Sequence, residues 1–400
     1  MTGPEIPIPA EFASKLRFIP AKDTRTDAEI ISALNEHVPV TSEKNIWTYW
    51  HAGVDAMPSW NKRTICDWVR LHDSEWTVRV LNTVSGHPNH ALNWVEPDQL
   101  PETLVKGTMT GPYVGPHSAD FLRGAAIYRY GGAWLDVSCI LFRSLDKICW
   151  DQLADGNSPF TISAAIQFKT IMANAFVAAR KGDPFIKAWH ELFMHLWKDQ
   201  NDWTGIVQSP LIMSFLQHMD FSESEAAGFH WKFTVDPVTV LGYIGQVLSW
   251  CRVASLQEAD GGFDGVDYYT KHVLCFSALN EIWAAEKTVG FDGNDLHKVF
   301  TTRLDADPES KEYKKAYETT WRLLTDSSLQ KITHGKDLTT DIHCGVLLDQ
   351  QEGSDCAPGT FGELLRYGRV HFEQTREKID YQDAHKVEGE RVIYKGLLEA

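Results

Sequence analysis

Two carboxylates and one arginine in the first half of the chain have the residue types and spacing to bind a polar ligand. Asp120 and Arg123 are three positions apart, so a helix would place them on one face. Asp136 interrupts the apolar run AWLDVSCILF, soon after the pair Gly131 and Gly132. An aspartate can hold a sugar hydroxyl or a metal that bridges a diphosphate, and an arginine offers a rigid fork for phosphate or carboxylate. These residues predict a site for a ligand that carries hydroxyls and negative charge.

The pattern around these residues favours alternating strands and helices that would hold them in place. Strand-like runs at 45–53 and 75–82 flank a helical pattern at 61–72, which is typical of a βαβ unit in a parallel sheet. A helix over 118–130 ends at the glycine pair, and a strand over 133–142 follows it. Ligands bind beyond the carboxyl ends of the strands in such sheets. The predicted fold class is therefore α/β, with a mostly parallel central sheet flanked by helices.

The chain divides into a regular first half and a looser second half. A strongly amphipathic helix at 183–199, with Asp183 as its N-cap, is the last clear element before the pattern weakens near residue 220. The interpretation has three parts: an N-terminal strap at 1–44, a ligand-binding core at 45–200, and helical and loop-rich additions to the same domain at 201–400.

The composition of the chain counts against some classes of binding partner. The formal net charge of the 400 residues is −16, which argues against nucleic acid or an anionic membrane as a partner, because phosphate binding needs clustered lysines and arginines. The cysteines are odd in number and form no CxxC pair, so the sequence predicts no disulfide framework. No leader-like segment or membrane-length apolar run is visible. The expected location is the cytoplasm.

The segment SADFLRGAAIYRYGGAWLDVS resembles a known family signature. It is similar to the DXD-type motif of GT-A glycosyltransferases, in particular the capsular polysaccharide synthesis proteins and the Och1-like mannosyltransferases. The segments NIWTYWHAG and NAFVAARKGDPFIKAWHELF resemble the first strand and the region after the DXD strand in these families. The resemblance implies a GT-A-type, Rossmann-like fold and a nucleotide-sugar donor.

Roles for the motif residues follow from the resemblance. It implies that Asp120 and Arg123 are catalytic residues that contact the donor sugar and its phosphates. It also implies that Asp136 is the first aspartate of the DXD motif, a catalytic residue and a metal ligand. Ser138 stands where the second aspartate would be. A hydroxyl is a poor ligand for Mn²⁺ or Mg²⁺, so the sequence predicts a weak metal site at these two positions. Arg123 and Lys336 are expected to share the charge-neutralising role.

Further donor-binding residues are predicted around the motif. The resemblance places Tyr49 and Trp50 near the nucleotide base and Asn174 near the donor, although each could equally be a core or backbone-bonding residue. Gly132 would let the backbone approach the donor closely.

Three residues of the C-terminal loops correspond to a region where some relatives add a metal or phosphate contact. These residues are His334, His343 and Asp355. A plain loop role is also open for each of them.

The predicted function is transfer of a sugar from a nucleotide-sugar to an intracellular or small-molecule acceptor, with retention at the anomeric carbon as the resemblance implies. Two alternatives stay open. One is an aminoacyl-tRNA-dependent enzyme that resembles cyclodipeptide synthases, against which the acidic charge counts. The other is a non-catalytic binding protein on the same scaffold, against which the presence of Asp120, Arg123 and Asp136 counts.

Overall fold

A computed structural model describes residues 6–167, 171–216, 232–335, 338–339 and 342–400. Its strands are β1 (Leu16–Phe18), β2 (Asn45–Tyr49), β3 (Thr77–Leu81), β4 (Gly132–Leu135), β5 (Cys139–Leu141), β6 (Ile162–Gln167), β7 (Ile171–Ala179), β8 (Val273–Ser277), β9 (Leu329–Lys331), β10 (Phe372–Gln374) and β11 (Tyr381–Gln382).

The helices of the first half are α1 (Asp27–Leu34), α2 (Ser59–His72), α3 (Glu102–Val105), α4 (Val114–Tyr130), α5 (Asp151–Ala154) and α6 (Pro184–Leu196). Those that follow are α7 (Pro210–Leu216), α8 (Pro237–Tyr243), α9 (Gly245–Ser255), α10 (Gly265–His272), α11 (Ala278–Glu281), α12 (Glu286–Val289), α13 (Gly293–Thr301), α14 (Lys311–Asp326), α15 (Cys344–Gln350) and α16 (Phe361–His371). None of the helices in the described ranges combines the length and apolar composition needed to span a bilayer.

Seven strands form the central sheet, in the order β11-β8-β6-β7-β4-β2-β3. β2 is parallel to β3 and β4, and β6 is parallel to β8. β7 is antiparallel to both β4 and β6, so β3, β2, β4, β6 and β8 all point one way. The prediction of a mostly parallel α/β sheet is confirmed, and β2-α2-β3 is the βαβ unit that the sequence indicated.

The sheet separates two apolar layers, because side chains of a strand alternate between its faces. Trp47 and Trp134 lie opposite each other on β2 and β4, fully buried on the face covered by α4 and α6. Ile46 and Leu135 face the other layer, which α1 and α2 cover. A third cluster joins the C-terminal helices α13 to α16. The strands that present the site are therefore fixed from both sides.

Two predicted elements differ from the structure. The helix expected at 118–130 begins earlier, at Val114, so Ser118 is an interior helical residue and not an N-cap. The strand expected at 133–142 is broken into β4 and β5, which belong to different sheets. The break is a tight turn in which the Cys139 amide donates to the Asp136 carbonyl at 2.9 Å. The apolar run hid this turn, because both halves of it are buried.

Candidate functional site

A cavity of about 1070 Å³ opens beside the carboxyl ends of β2 and β4. β2 delivers Tyr49 and Trp50 to its wall, and the turn after β4 delivers Asp136 and Ser138. Since β2 and β4 are parallel and adjacent, their carboxyl ends lie at the same edge of the sheet. The cavity thus occupies the place where open α/β sheets bind their ligands.

Asp120 and Arg123 share the inner face of α4, as their spacing predicted. Arg123 donates from Nη1 to the Asp120 carboxylate and to the Gln246 side chain of α9. Its other terminal nitrogen lies 3.2 Å from Asp136 Oδ1. The guanidinium also stands over the Trp134 ring, 5.3 Å from the ring centroid. Arg123 is only 2% exposed, so its fork is held rigidly at the cavity wall.

The two carboxylates of this cluster have different electrostatic environments. Burial raises the pKa of the Asp120 carboxyl to about 6, although Arg123 acts in the opposite direction. Burial also acts to raise the pKa of Asp136, but the charges of Lys331 and Arg123 outweigh it and hold that pKa below its usual value. Asp136 therefore stays ionised at neutral pH, and its Oδ1 also accepts a hydrogen bond from the Trp134 indole at 3.1 Å.

Lys331, which the sequence analysis missed, is a central residue of the site. Its ammonium donates to Asp136 Oδ2 at 2.7 Å and to Ser138 Oγ at 2.8 Å. It arrives at the end of β9, which pairs antiparallel with β5 and sets Lys331 opposite Cys139. The short run SLQKI has alternating polarity, but nothing in it points to a ligand.

Gln246 is the second residue that sequence reasoning did not find. Its side chain is 2% exposed, and it bridges Arg123, Asn174 and the backbone carbonyl of Asp120. A glutamine near the start of a helix has no local signal for such a role. It holds Arg123 through Nη1, whereas Asp136 is bonded to Nη2.

Three of the other four residues predicted to bind the donor line the cavity, and Gly132 does not. Asn174 of β7 lines the cavity and donates to Asp120 Oδ1 at 3.3 Å, and Tyr49 and Trp50 line it as well. Gly132 begins β4 at the end of the strand away from Asp136, and it is not among the cavity residues. Its φ is +106°, and an added Cβ would lie 2.3 Å from the Asn45 carbonyl oxygen. The structure thus gives Gly132 a packing role between β4 and β2.

Two of the three residues predicted in the C-terminal loops line the cavity, and the third does not. His334 and His343 line the cavity, and His334 Nε2 lies 3.1 Å from Asp349 Oδ2. Asp355 instead pairs with Arg63 of α2, with Arg63 Nε 2.9 Å from Asp355 Oδ2. Lys336 lies outside the described residues.

The residues expected to hold a divalent cation do not form a cation site here. Asp136 and Ser138 both face the Lys331 ammonium, which fills the space between Asp136 Oδ2 and Ser138 Oγ. Within the described ranges, no group of three or more histidine, cysteine or acidic side chains is arranged to hold a metal ion. A hydroxyl already bonded to an ammonium is not a ligand for Mn²⁺ or Mg²⁺ in this arrangement.

The chain is similar to several known proteins. The family described as capsular polysaccharide synthesis protein matches residues 17–227. The probable glycosyltransferase FCK3 of Fusarium pseudograminearum (strain CS3096) is 48% identical over 394 residues, covering 98% of this chain and 99% of that protein. The O-glycosyltransferase PaGT of Phomopsis amygdali is 35% identical over 88% of each chain. The match to the solved structure of the PaToxG glycosyltransferase covers 57% of this chain and 85% of the PaToxG chain. The sequence identity over that match is 13%, and the TM-score is 0.30.

Proposed function

The chain belongs to the capsular polysaccharide synthesis protein family and is a glycosyltransferase, and we propose that it moves a sugar from a nucleotide-sugar donor to a hydroxyl of a small, intracellular acceptor. The observation that carries this proposal is the convergence of Asp120, Arg123, Asp136 and Lys331 on one cavity at the carboxyl end of β4. Carboxylates bind sugar hydroxyls, and the two cations suit a diphosphate.

Each group has a distinct task in this proposal. Asp136, held ionised, accepts hydrogen bonds from donor hydroxyls, and Asp120 keeps the Arg123 fork in place. Arg123 and Lys331 face the oxygen atoms on which negative charge grows when the sugar leaves the diphosphate. Charge stabilisation by groups that are already oriented is commonly the largest contribution to such a reaction. Tyr49 and Trp50, at the end of β2, provide aromatic surface for the nucleotide base.

An apolar part of the cavity wall is suited to the acceptor. It includes the side chains of Val240 on α8 and of Ile244, which follows that helix. An apolar wall favours an acceptor with a hydrocarbon skeleton and few charges. Two relatives, PaGT and braB of Annulohypoxylon truncatum, are O-glycosyltransferases, which supports a hydroxyl as the attacked group. We propose retention at the anomeric carbon, on the resemblance of the motif alone.

A donor screen tests the proposal. The protein is heated with each of the common nucleotide-sugars, and a ligand at 100 times its Kd should stabilise the fold by about 2.7 kcal/mol. The stabilising donor is then incubated with the enzyme, and release of nucleoside diphosphate is measured. The anomeric proton coupling of the product distinguishes retention from inversion. Failure of every nucleotide-sugar to shift the melting temperature or to be hydrolysed would overturn the proposed function.

A further inference from the structure

Resting on the proposed function, we propose that the Lys331 ammonium takes the place of the divalent cation in this site, so that transfer proceeds without a divalent metal. In the DXD motif that this segment resembles, the two positions at the end of β4 would both be carboxylates that face a cation. Here they present one carboxylate and one hydroxyl, and a lysine from a distant strand lies between them.

The Lys331 ammonium contacts the same two oxygen atoms that a metal ion at this motif would have as ligands. Nζ lies 2.7 Å from Asp136 Oδ2 and 2.8 Å from Ser138 Oγ. A Mg²⁺ ion would need the same two oxygens at roughly 2.0–2.1 Å, and the ammonium nitrogen already lies between them. A serine at 138 suits this arrangement, because its hydroxyl accepts one hydrogen bond from the ammonium without adding a third negative charge to Asp120 and Asp136.

The backbone holds Lys331 in this position. The Ile332 amide donates to the Ser138 carbonyl at 3.0 Å, and the Lys331 amide donates to the Ile282 carbonyl at 2.9 Å. The neighbouring Gln330 side chain is fully buried and bonded to Glu286. Lys331 is thus part of a fixed strand and not a surface lysine that happens to lie over the site; its side chain is 17% exposed.

The balance of charge points the same way. The cluster contains two carboxylates, Asp120 and Asp136, and two cations, Arg123 and Lys331. A diphosphate entering this cluster meets both cations at once. A divalent cation entering it would instead be repelled by the Lys331 ammonium at close range. The positive charge available to a leaving diphosphate in this cluster is therefore supplied by two side chains, Arg123 and Lys331.

The first experiment measures donor hydrolysis and Mn²⁺ binding on the same protein. We expect the wild-type rate to fall less than twofold in EDTA, and electron paramagnetic resonance to detect no Mn²⁺ bound at this site below about 1 mM. A wild-type rate that EDTA abolishes and Mn²⁺ restores would overturn the inference and leave the proposed function intact.

The second experiment replaces the lysine. Lys331→Met should lower kcat by about 100-fold, because one preorganised cation is lost. Lys331→Ala with Ser138→Asp should bind Mn²⁺ and recover part of the rate only when Mn²⁺ is added. Such rescue by metal separates a charge-stabilising role from a merely structural one. A Lys331→Met rate within threefold of wild type would overturn the assignment.

Lys315→Met provides the matched control. Lys315 also pairs with a single aspartate at 2.7 Å, Asp295, but lies on α14 and does not line the cavity. Its loss should change neither the rate nor the response to metal. If the wild type hydrolyses no nucleotide-sugar at all, the proposed function fails. The resonance signal then still decides the role of Lys331, because Mn²⁺ bound to the wild type and lost in Asp136→Asn would refute it.

Discussion

The same four-residue spacing, D-x-x-R, occurs on two helices and serves two different purposes. On α2, Arg70 Nη1 donates to Asp67 Oδ1 at 2.8 Å, and on α4, Arg123 donates to Asp120 in the same way. Both arginines are almost completely buried, at 4% and 2% exposure. Helical geometry alone produces both pairs.

The surroundings of the two pairs differ. The α2 pair is closed in by Arg366 and Arg369 of α16 and by Asp27 of α1, so its charges bind the two ends of the chain together. The α4 pair instead faces the cavity. The comparison teaches that the spacing fixes the local contact, whereas the elements packed against it decide whether the charges serve stability or ligand binding.

Removing the central carboxylate of the cavity should have the largest effect. Asp136→Asn keeps the shape of the side chain but removes the charge that accepts from donor hydroxyls and pairs with Lys331. We expect kcat/KM to fall by about 1,000-fold or more, with the protein still folded at the assay temperature. Circular dichroism and steady-state kinetics on the same sample measure both quantities. A decrease of only a few-fold would remove Asp136 from the reaction.

The equivalent change in the closed cluster should act on stability. Asp67→Asn leaves Arg70, Arg366 and Arg369 with one fewer carboxylate, and breaking a buried pair costs about 3 kcal/mol or more. Urea unfolding should show this loss in the free energy of unfolding. The kcat/KM of the folded enzyme should stay within about twofold of wild type. A large fall in kcat/KM at full folding would show that the two clusters are coupled.

Exchanging arginine for lysine distinguishes the two pairs more finely. Arg123→Lys loses a fork that reaches Asp120, Asp136 and Gln246 together, so we expect kcat/KM to fall by about 10- to 100-fold. Arg70→Lys, as the matched variant on α2, should lower the melting temperature and leave kcat/KM unchanged. Donor titrations of both variants provide the measurement. Equal kinetics for the two would refute the distinction between the clusters.

Another buried carboxyl, Glu286, shows the effect of burial on a pKa when no cation among the described residues is paired with the group. Burial raises the pKa of Glu286 to about 8, and its partner is the Gln330 amide. The native protein then binds a proton that the unfolded chain releases, so stability falls as pH rises from about 4.5 to about 8. We expect Glu286→Gln to flatten this dependence by on the order of 5 kcal/mol.

Urea unfolding at pH 5, 7 and 9 measures that dependence, and the exposed Glu309→Gln is the control that should leave it unchanged. The prediction would be contradicted if the free energy of unfolding had the same pH dependence in the wild type and in Glu286→Gln between pH 5 and pH 9.

The sequence predicted the parts of the site that are close along the chain. Asp120, Arg123 and Asp136 lie within one helix–turn–strand segment, whose spacing and glycines carry the information. Lys331 and Gln246 could not be predicted, because their positions depend on β9 pairing with β5 and on α9 packing against β7. The break between β4 and β5 was hidden for a related reason, since burial on both sides of the turn gives the appearance of one continuous strand.

The position of Lys331 also sets an order of events during synthesis on the ribosome. Lys331 follows Asp136 by 195 residues. At about 5–20 residues per second, this separation corresponds to a delay of about 10–40 s. During that time the emerging half of the protein has Asp136 and Ser138 but lacks the ammonium between them. The nascent chain therefore completes its donor site late, when β9 emerges and pairs with β5. A chain whose synthesis stops before that point has Asp136 and Ser138 but not Lys331.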